Sequence, residues 1–275
     1  MKIYRYILGA LLLSGLALPL TNVRAQDVQL KCLEWNVKAL EFYNNSNVSK
    51  DISRFVTLIR EQQAEIIFFN EFETLSGAMF LKEKANEFAK ELGMYSFFIH
   101  SYNKRGNDGY YGNVILSKNP IVNTGRVLLG MYEGADQRSA GWADVLVPTD
   151  SHPEGVKVRI VCTHLDAFGG NVTCLEQAKE VLEYAIQPAV DEGIPVLLAG
   201  DMNCGVSSSA IAEYVKSGDR LCNNDGTYER SSKLDYLIGF PKQKWTCSDY
   251  QVIRTAEADA LSDHSPITGT AVLKN

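Results

Sequence analysis

Asp201 and Asn203 stand two residues apart where an apolar run ends, in Leu198-Ala199-Gly200-Asp201-Met202-Asn203-Cys204. Side chains at i and i+2 of an extended chain share a face, so this carboxylate and amide can turn toward one point. Such groups transfer protons and bind hard cations. Open α/β sheets place their chemistry where strands end and loops begin. Gly, Asp and Asn also form turns, so the stretch alone reads equally well as a bend. Three other apolar runs end in the same abrupt way: Leu33-Glu34-Trp35-Asn36, Ile66-Ile67-Phe68-Phe69-Asn70-Glu71 and Ile160-Val161-Cys162-Thr163-His164-Leu165-Asp166. A further cluster, Ser262-Asp263-His264-Ser265-Pro266, precedes the last apolar run. Of the four histidines, His164 and His264 fall in these clusters.

The elements that must position these residues follow from the hydrophobic pattern. Strands are expected over 28–35, 65–69, 94–100, 113–117, 125–130, 142–147, 156–163, 194–199, 234–238, 245–253 and 267–273. Helices are expected over 50–63, with Ser49 as its cap, and over 76–92, closed by Gly93, then over 173–189 and 207–216. The stretch 101–112, with Tyr102, Lys104, Arg105, Tyr110 and Tyr111, reads as a polar loop. Most strand-to-strand steps in the second half lack a helix, which points to largely antiparallel sheets with helices on their outer faces.

Residues 1–25 have the pattern of an export signal. Lys2 and Arg5 are followed by an apolar run from Ile7 to Leu20, shorter than a comfortable membrane span, and then by Val23-Arg24-Ala25. No stop-transfer flank and no lipid-acceptor cysteine follows. The expected product is periplasmic or extracellular, with no transmembrane segment after cleavage and one domain over 26–275. Without the three basic residues of the leader, 24 Lys and Arg face 33 Asp and Glu, a net charge of −9. That acidity argues against a broad basic face for polyanions, but not against an enzyme whose metal supplies positive charge locally. The six cysteines allow 15 pairings. Cys174 with Cys204 and Cys222 with Cys247 are the pairs to check first, while Cys32 and Cys162 fall in strands as core thiols. No Cys-x-x-Cys zinc motif occurs.

Taken together, Trp35-Asn36, Glu71, Tyr110-Tyr111-Gly112-Asn113-Val114-Ile115-Leu116-Ser117, Thr163-His164-Leu165-Asp166, Gly200-Asp201-Met202-Asn203, Leu234-Asp235-Tyr236 and Ser262-Asp263-His264-Ser265-Pro266 resemble the endonuclease/exonuclease/phosphatase superfamily. Its members include nucleases, sphingomyelinases and inositol polyphosphate 5-phosphatases. The resemblance implies an α/β fold of the α+β type. It is a four-layered sandwich of two mostly antiparallel mixed sheets, packed face to face with helices outside. It further implies phosphoester hydrolysis with a divalent metal, Mg²⁺ or alternatively Mn²⁺. Glu71 matches the principal metal ligand, with Asn36 and Asp263 beside the ion. Asp201 matches the carboxylate that orients or deprotonates water, and Asn203 the amide that holds the water or the phosphate. His264 matches a phosphate-contacting histidine, with Asp235 fixing its tautomer. His164 matches a donor to a phosphate oxygen, Arg138 a basic residue toward the phosphate, and Tyr110 a phosphate-contacting tyrosine for which Tyr111 is the alternative. The substrate is a nucleic acid by a narrow margin over a phospholipid or an inositol phosphate, with a non-catalytic binding module as the remaining alternative. No stable protein partner is implied.

Overall fold

The computed structural model describes residues 28–38, 52–74, 78–103, 110–132 and 136–274. The expected leader, the Ser49 cap, Lys104 and Arg105 lie outside these residues.

Two six-stranded sheets form the centre. The first contains β1 (Val28–Asn36), β2 (Ile66–Thr74), β3 (Tyr95–Asn103), β4 (Tyr110–Ser117), β11 (Trp245–Val252) and β12 (Ile267–Leu273) in the order β11-β12-β1-β2-β4-β3. The second contains β5 (Ile121–Leu128), β6 (Ser139–Val147), β7 (Val156–Thr163), β8 (Val196–Asp201), β9 (Asp219–Arg220) and β10 (Asp235–Phe240) in the order β5-β6-β7-β8-β10-β9. Only β1–β2 and β7–β8 pair in parallel among the described strands.

The strand period of two sorts side chains between two environments. Leu30, Cys32, Ile66, Phe68, Ile115, Ile160, Cys162, Leu197, Ala199 and Leu237 face the opposite sheet in a shared apolar layer. Their neighbours Leu33, Trp35, Ile67, Phe69, Val114 and Leu116 face α1 (Ser53–Gln62), α2 (Ala78–Leu92) and α6 (Ala256–Leu261). On the second sheet, Val161, Leu198, Tyr236 and Ile238 face α3 (Gly170–Glu180), a π-helical turn (Val181–Ile186), α4 (Gln187–Asp191) and α5 (Ser209–Ser217). The expected four-layered sandwich is therefore the observed one.

Several boundaries differ from expectation for identifiable reasons. The expected third helix starts earlier, at Gly170, and widens at Val181–Ile186. Pro188 follows that widening and can neither donate to the preceding turn nor fit beneath it without a clash. The carbonyl of Ala185 accepts from Arg159 Nη1 at 3.3 Å. The stretch expected as a polar loop over 101–112 is strand at both ends, since β3 runs to Asn103 and β4 starts at Tyr110, while 104–109 lie outside the described residues. The short α6 escaped the pattern because it is only six residues long, although Thr255 caps it by accepting from the Ala258 amide at 3.1 Å. All six cysteines are free thiols. The two pairs singled out from sequence are thus not bridged, although the Cys174 and Cys204 thiols are hydrogen-bonded neighbours.

One glycine is demanded by close approach. Gly200 has φ +148°, and a Cβ there would lie 1.9 Å from the carbonyl oxygen of Thr163 on the adjacent strand. Gly205, a few residues on, has open space around it. Gly200→Ala is expected to be destabilised by at least about 1–3 kcal/mol from backbone strain alone. Gly205→Ala should stay within about 0.5 kcal/mol of the parent. Paired thermal melts check the contrast.

Candidate active site

At one end of the inter-sheet layer the inward-facing positions change from apolar to polar. Asn36, Asn70, His164, Asp201 and Asp235 continue the alternation of Leu30, Phe68, Cys162, Ala199 and Leu237. The strand period thus carries residues far apart in the chain into one buried volume. Glu71 is the exception in parity. The β2–β4 register slips between Phe69 and Phe72, and Glu71 adopts a left-handed φ of 52°. This bulge turns its side chain toward β1, a common use of bulges beside functional sites.

Asn36 Nδ2 donates to Glu71 Oε1 and to Asp201 Oδ2, both at 3.0 Å. Its Oδ1 accepts from the amide of Lys38, so Asn36 bridges the two carboxylates through its nitrogen. Asp201 Oδ1 accepts from the Asn203 amide at 2.9 Å. Burial raises the Asp201 carboxyl to about 7, with Asp235 adding to the rise and His264 opposing it. A carboxylate tuned to that range suits general-base work near neutral pH.

His264 Nδ1 donates to Asp235 Oδ2 at 2.9 Å, and its Nε2 lies 3.6 Å from Asp201 Oδ2. Burial works against charge on this imidazole, but Asp235 and then Asp201 override it and raise the ring to about 10. Asp235, buried as it is, stays below the ordinary carboxylate range because His264 and the Thr227 hydroxyl stabilise its charge. The loop that presents His264 is tied to β1. Trp35 Nε1 donates to the His264 carbonyl at 2.9 Å, and the Ser262 hydroxyl donates to the Asn36 carbonyl at 2.7 Å.

His164 is engaged at both nitrogens. Asn203 Nδ2 donates to the Leu165 carbonyl at 2.9 Å and to His164 Nε2 at 2.7 Å. Nδ1 pairs with Tyr111 Oη at 2.7 Å and lies 3.2 Å from Arg138 Nη1. Burial, then Arg138, keeps the ring well below its ordinary value and hence neutral. Donation to a phosphate oxygen, the role the resemblance implied, would require Asn203 to release Nε2. Arg138 is buried, donates to Tyr111 Oη at 2.8 Å and lies over the Tyr111 ring, so it belongs to the site and is not a solvated loop charge. The tyrosine in the site is Tyr111; the side chain of Tyr110 lies outside the described residues. Asp263 stands at the edge, its Oδ2 held by Lys38 Nζ at 2.7 Å.

Oxygen donors dominate this end of the molecule, which is what Mg²⁺ and Mn²⁺ require. Glu71 and Asp201 converge on one amide, and ligand atoms of Asp201, Asp235 and His264 lie within 4.8 Å of one another. The residues present therefore fit a divalent cation. Because Asp235 and His264 are bonded to each other, Glu71 and Asp201 are the freer ligands.

A feature that motif reading missed is Glu34. It is buried, faces the inter-sheet layer behind Asp235 and is hydrogen-bonded to that carboxylate. Burial, followed by Asp235 and Asp201, pushes its carboxyl well up, so it carries a proton. Alternation offered a signal, since Glu34 shares the parity of Leu30 and Cys32.

Carboxylates, amides and imidazoles closing one end of a double-sheet α/β sandwich define the protein as a metal-dependent phosphoester hydrolase. Residues 33–264 match the Endonuclease/Exonuclease/phosphatase family, and the chain belongs to it. No curated protein matches the sequence. The human Nocturnin catalytic domain with bound sulfate superposes with a TM-score of 0.73 at 15% identity, covering 91% of this chain and 96% of that one. A mannosyl-6-phosphatase of Bacteroides thetaiotaomicron gives 0.64 at 16% identity, covering 89% and 100%. Danio rerio TDP2 complexed with a single-strand DNA product gives 0.64 at 15% identity, covering 89% and 99%. At these identities the likeness is one of fold.

The protonated Glu34 makes a signed prediction. An acid whose folded pKa is raised stabilises the fold fully below its unfolded value of 4.5 and costs progressively more as pH rises above it. Glu34→Gln should therefore gain stability relative to the parent as pH rises above about 4.5. Chemical denaturation of both proteins across that range measures it.

Proposed function

We propose that the protein is an exported, Mg²⁺-dependent phosphodiesterase that acts on nucleic acid. The observation that carries the catalytic part is the facing pair of Asp201, raised to about 7, and the His264 imidazolium, 3.6 Å away. Asp201 takes the proton of the attacking water, and Asn203 holds the water or the phosphate beside it. His264, oriented by Asp235, supplies positive charge and a proton to the phosphate oxygens. Arg138 and Tyr111 stand on the His164 side of the same volume, where Arg138 adds charge toward the phosphate. Glu71, with Asn36 beside it and Asp263 at the edge of the site, would hold the ion, which supplies Lewis-acid stabilisation of the phosphoryl oxygens.

Export is supported by the basic start, short apolar run and Val23-Arg24-Ala25 of the leader. Among the described residues no helix is long and apolar enough to cross a membrane. The choice of nucleic acid is supported by the aromatic and basic residues of the sequence 101–112, among them Tyr111, which sits in the site.

The test is hydrolysis of plasmid and single-stranded DNA, sphingomyelin and inositol phosphates, each with Mg²⁺, Mn²⁺ or EDTA. DNA cleavage abolished by EDTA is expected. Turnover of sphingomyelin or an inositol phosphate without DNA cleavage would move the substrate to a lipid or a monoester. Asp201→Asn should keep the parent's circular dichroism while turnover falls by about 10²–10⁴-fold, the usual loss for a removed general base.

A further inference from the structure

Glu71 and Asp201 lie on different sheets and are separated by nearly half the chain, yet their carboxylates meet on one amide. The contact between the sheets is mainly apolar and non-directional, so it cannot by itself set two carboxylates within a fraction of an ångström. A directional link does cross the seam. Asn70, on β2 and immediately before Glu71, is fully buried. Its Oδ1 accepts from the backbone amide of Asp201 at 2.7 Å. Its Nδ2 donates to the Thr163 carbonyl at 3.0 Å and to Asn113 Oδ1 at 2.9 Å. One side chain thus grips the exits of β7 and β8 while its neighbour, in the bulge, presents Glu71. Gly200 belongs to the same device, because any side chain there would displace Thr163 O and crowd Asn70 Oδ1, 3.2 Å from its Cβ position.

We propose that Asn70 is a positioning residue that fixes Asp201 relative to Glu71 across the seam between the sheets. The inference rests on the hydrolase reading above for its effect on turnover, and on the geometry alone for its effect on Asp201 and on metal affinity. Asn70 touches neither water nor phosphate in this role; it acts through the Asp201 backbone.

A merely structural polar residue would behave differently, and Asn113 supplies the control. Asn113 occupies the other arm of the same buried network, accepting from Asn70 and donating to the Ser139 carbonyl, but it makes no bond to Asp201. The experiment compares Asn70→Ala and Asn113→Ala in the full chain by thermal melting, steady-state kinetics on bis-p-nitrophenyl phosphate, Mn²⁺ titration by electron paramagnetic resonance, and amide exchange at Asp201. Both variants are expected to melt below the parent. Only Asn70→Ala should lose kcat, by roughly 10- to 100-fold, the scale of an ångström-level misplacement. Its KM should stay within about threefold, since ground-state contacts are untouched. Only Asn70→Ala should weaken Mn²⁺ binding and expose the Asp201 amide to exchange.

Equal losses of kcat in the two variants would overturn the proposal, as would an Asp201 amide as protected in Asn70→Ala as in the parent. If Asn70→Ala does not fold, Asn70→Ser, polar but too short to reach the Asp201 amide, carries the same expectations. A parent that hydrolyses no phosphoester would refute the functional reading, while amide exchange and Mn²⁺ binding would still decide the role of Asn70.

Discussion

Burying Asp201 is the constraint on which the rest of the structure depends. An unpaired carboxylate taken from water costs several kcal/mol even after relaxation, and the usual escape is to hold a proton. Here escape is only partial. The amide of Asn203, the side chain of Asn36 and the His264 imidazolium together stabilise the charge enough to leave the group poised near neutrality. Each of these partners comes from a different loop or strand end, so the sheets, caps and bulge that carry them are all under the same requirement. Glu34, deeper in the inter-sheet layer and bonded to the Asp235 carboxylate instead of such partners, shows the other outcome and stays protonated.

The sandwich solves the positioning problem through parity. With two sheets packed face to face, every second residue of each strand enters a common layer, and continuing that count past the apolar residues reaches the site. A sheet packed against helices alone would separate Asn36 and Glu71 from Asp201 and Asp235. The cations follow the same logic. Arg138 and His264 are buried beside the acids, and Lys233 is buried nearby with Nζ on the Tyr250 hydroxyl at 2.8 Å. An acidic chain thus concentrates positive charge where a phosphoryl group would sit.

Much of this was legible in the chain itself. Apolar runs that stop in Asn, Glu, His or Asp marked the strand exits, and the order of the motifs pointed to the fold and to nearly every residue of the site. Other features were not legible from motifs. Tyr111 reaches His164, and alternation from Ile115 through Asn113 carries that information. Arg138 was marked only by the resemblance, because nothing local showed that Tyr111 and His164 would lie against it. The left-handed turn at Glu71 depends on a register slip against β4, which no pattern within β2 reveals. The π-helical turn before Pro188 and the pairing of Lys38 with Asp263 are likewise tertiary, decided by partners distant in sequence.

The central claim is that water, activated beside a divalent cation, attacks phosphorus. Hydrolysis of bis-p-nitrophenyl phosphate in ¹⁸O-labelled water tests it most directly, with product phosphate and phenol analysed by mass spectrometry. The account predicts turnover that needs Mg²⁺ or Mn²⁺, stops with EDTA and places one label on the phosphate product. Label on the phenol, or turnover indifferent to EDTA, would contradict it.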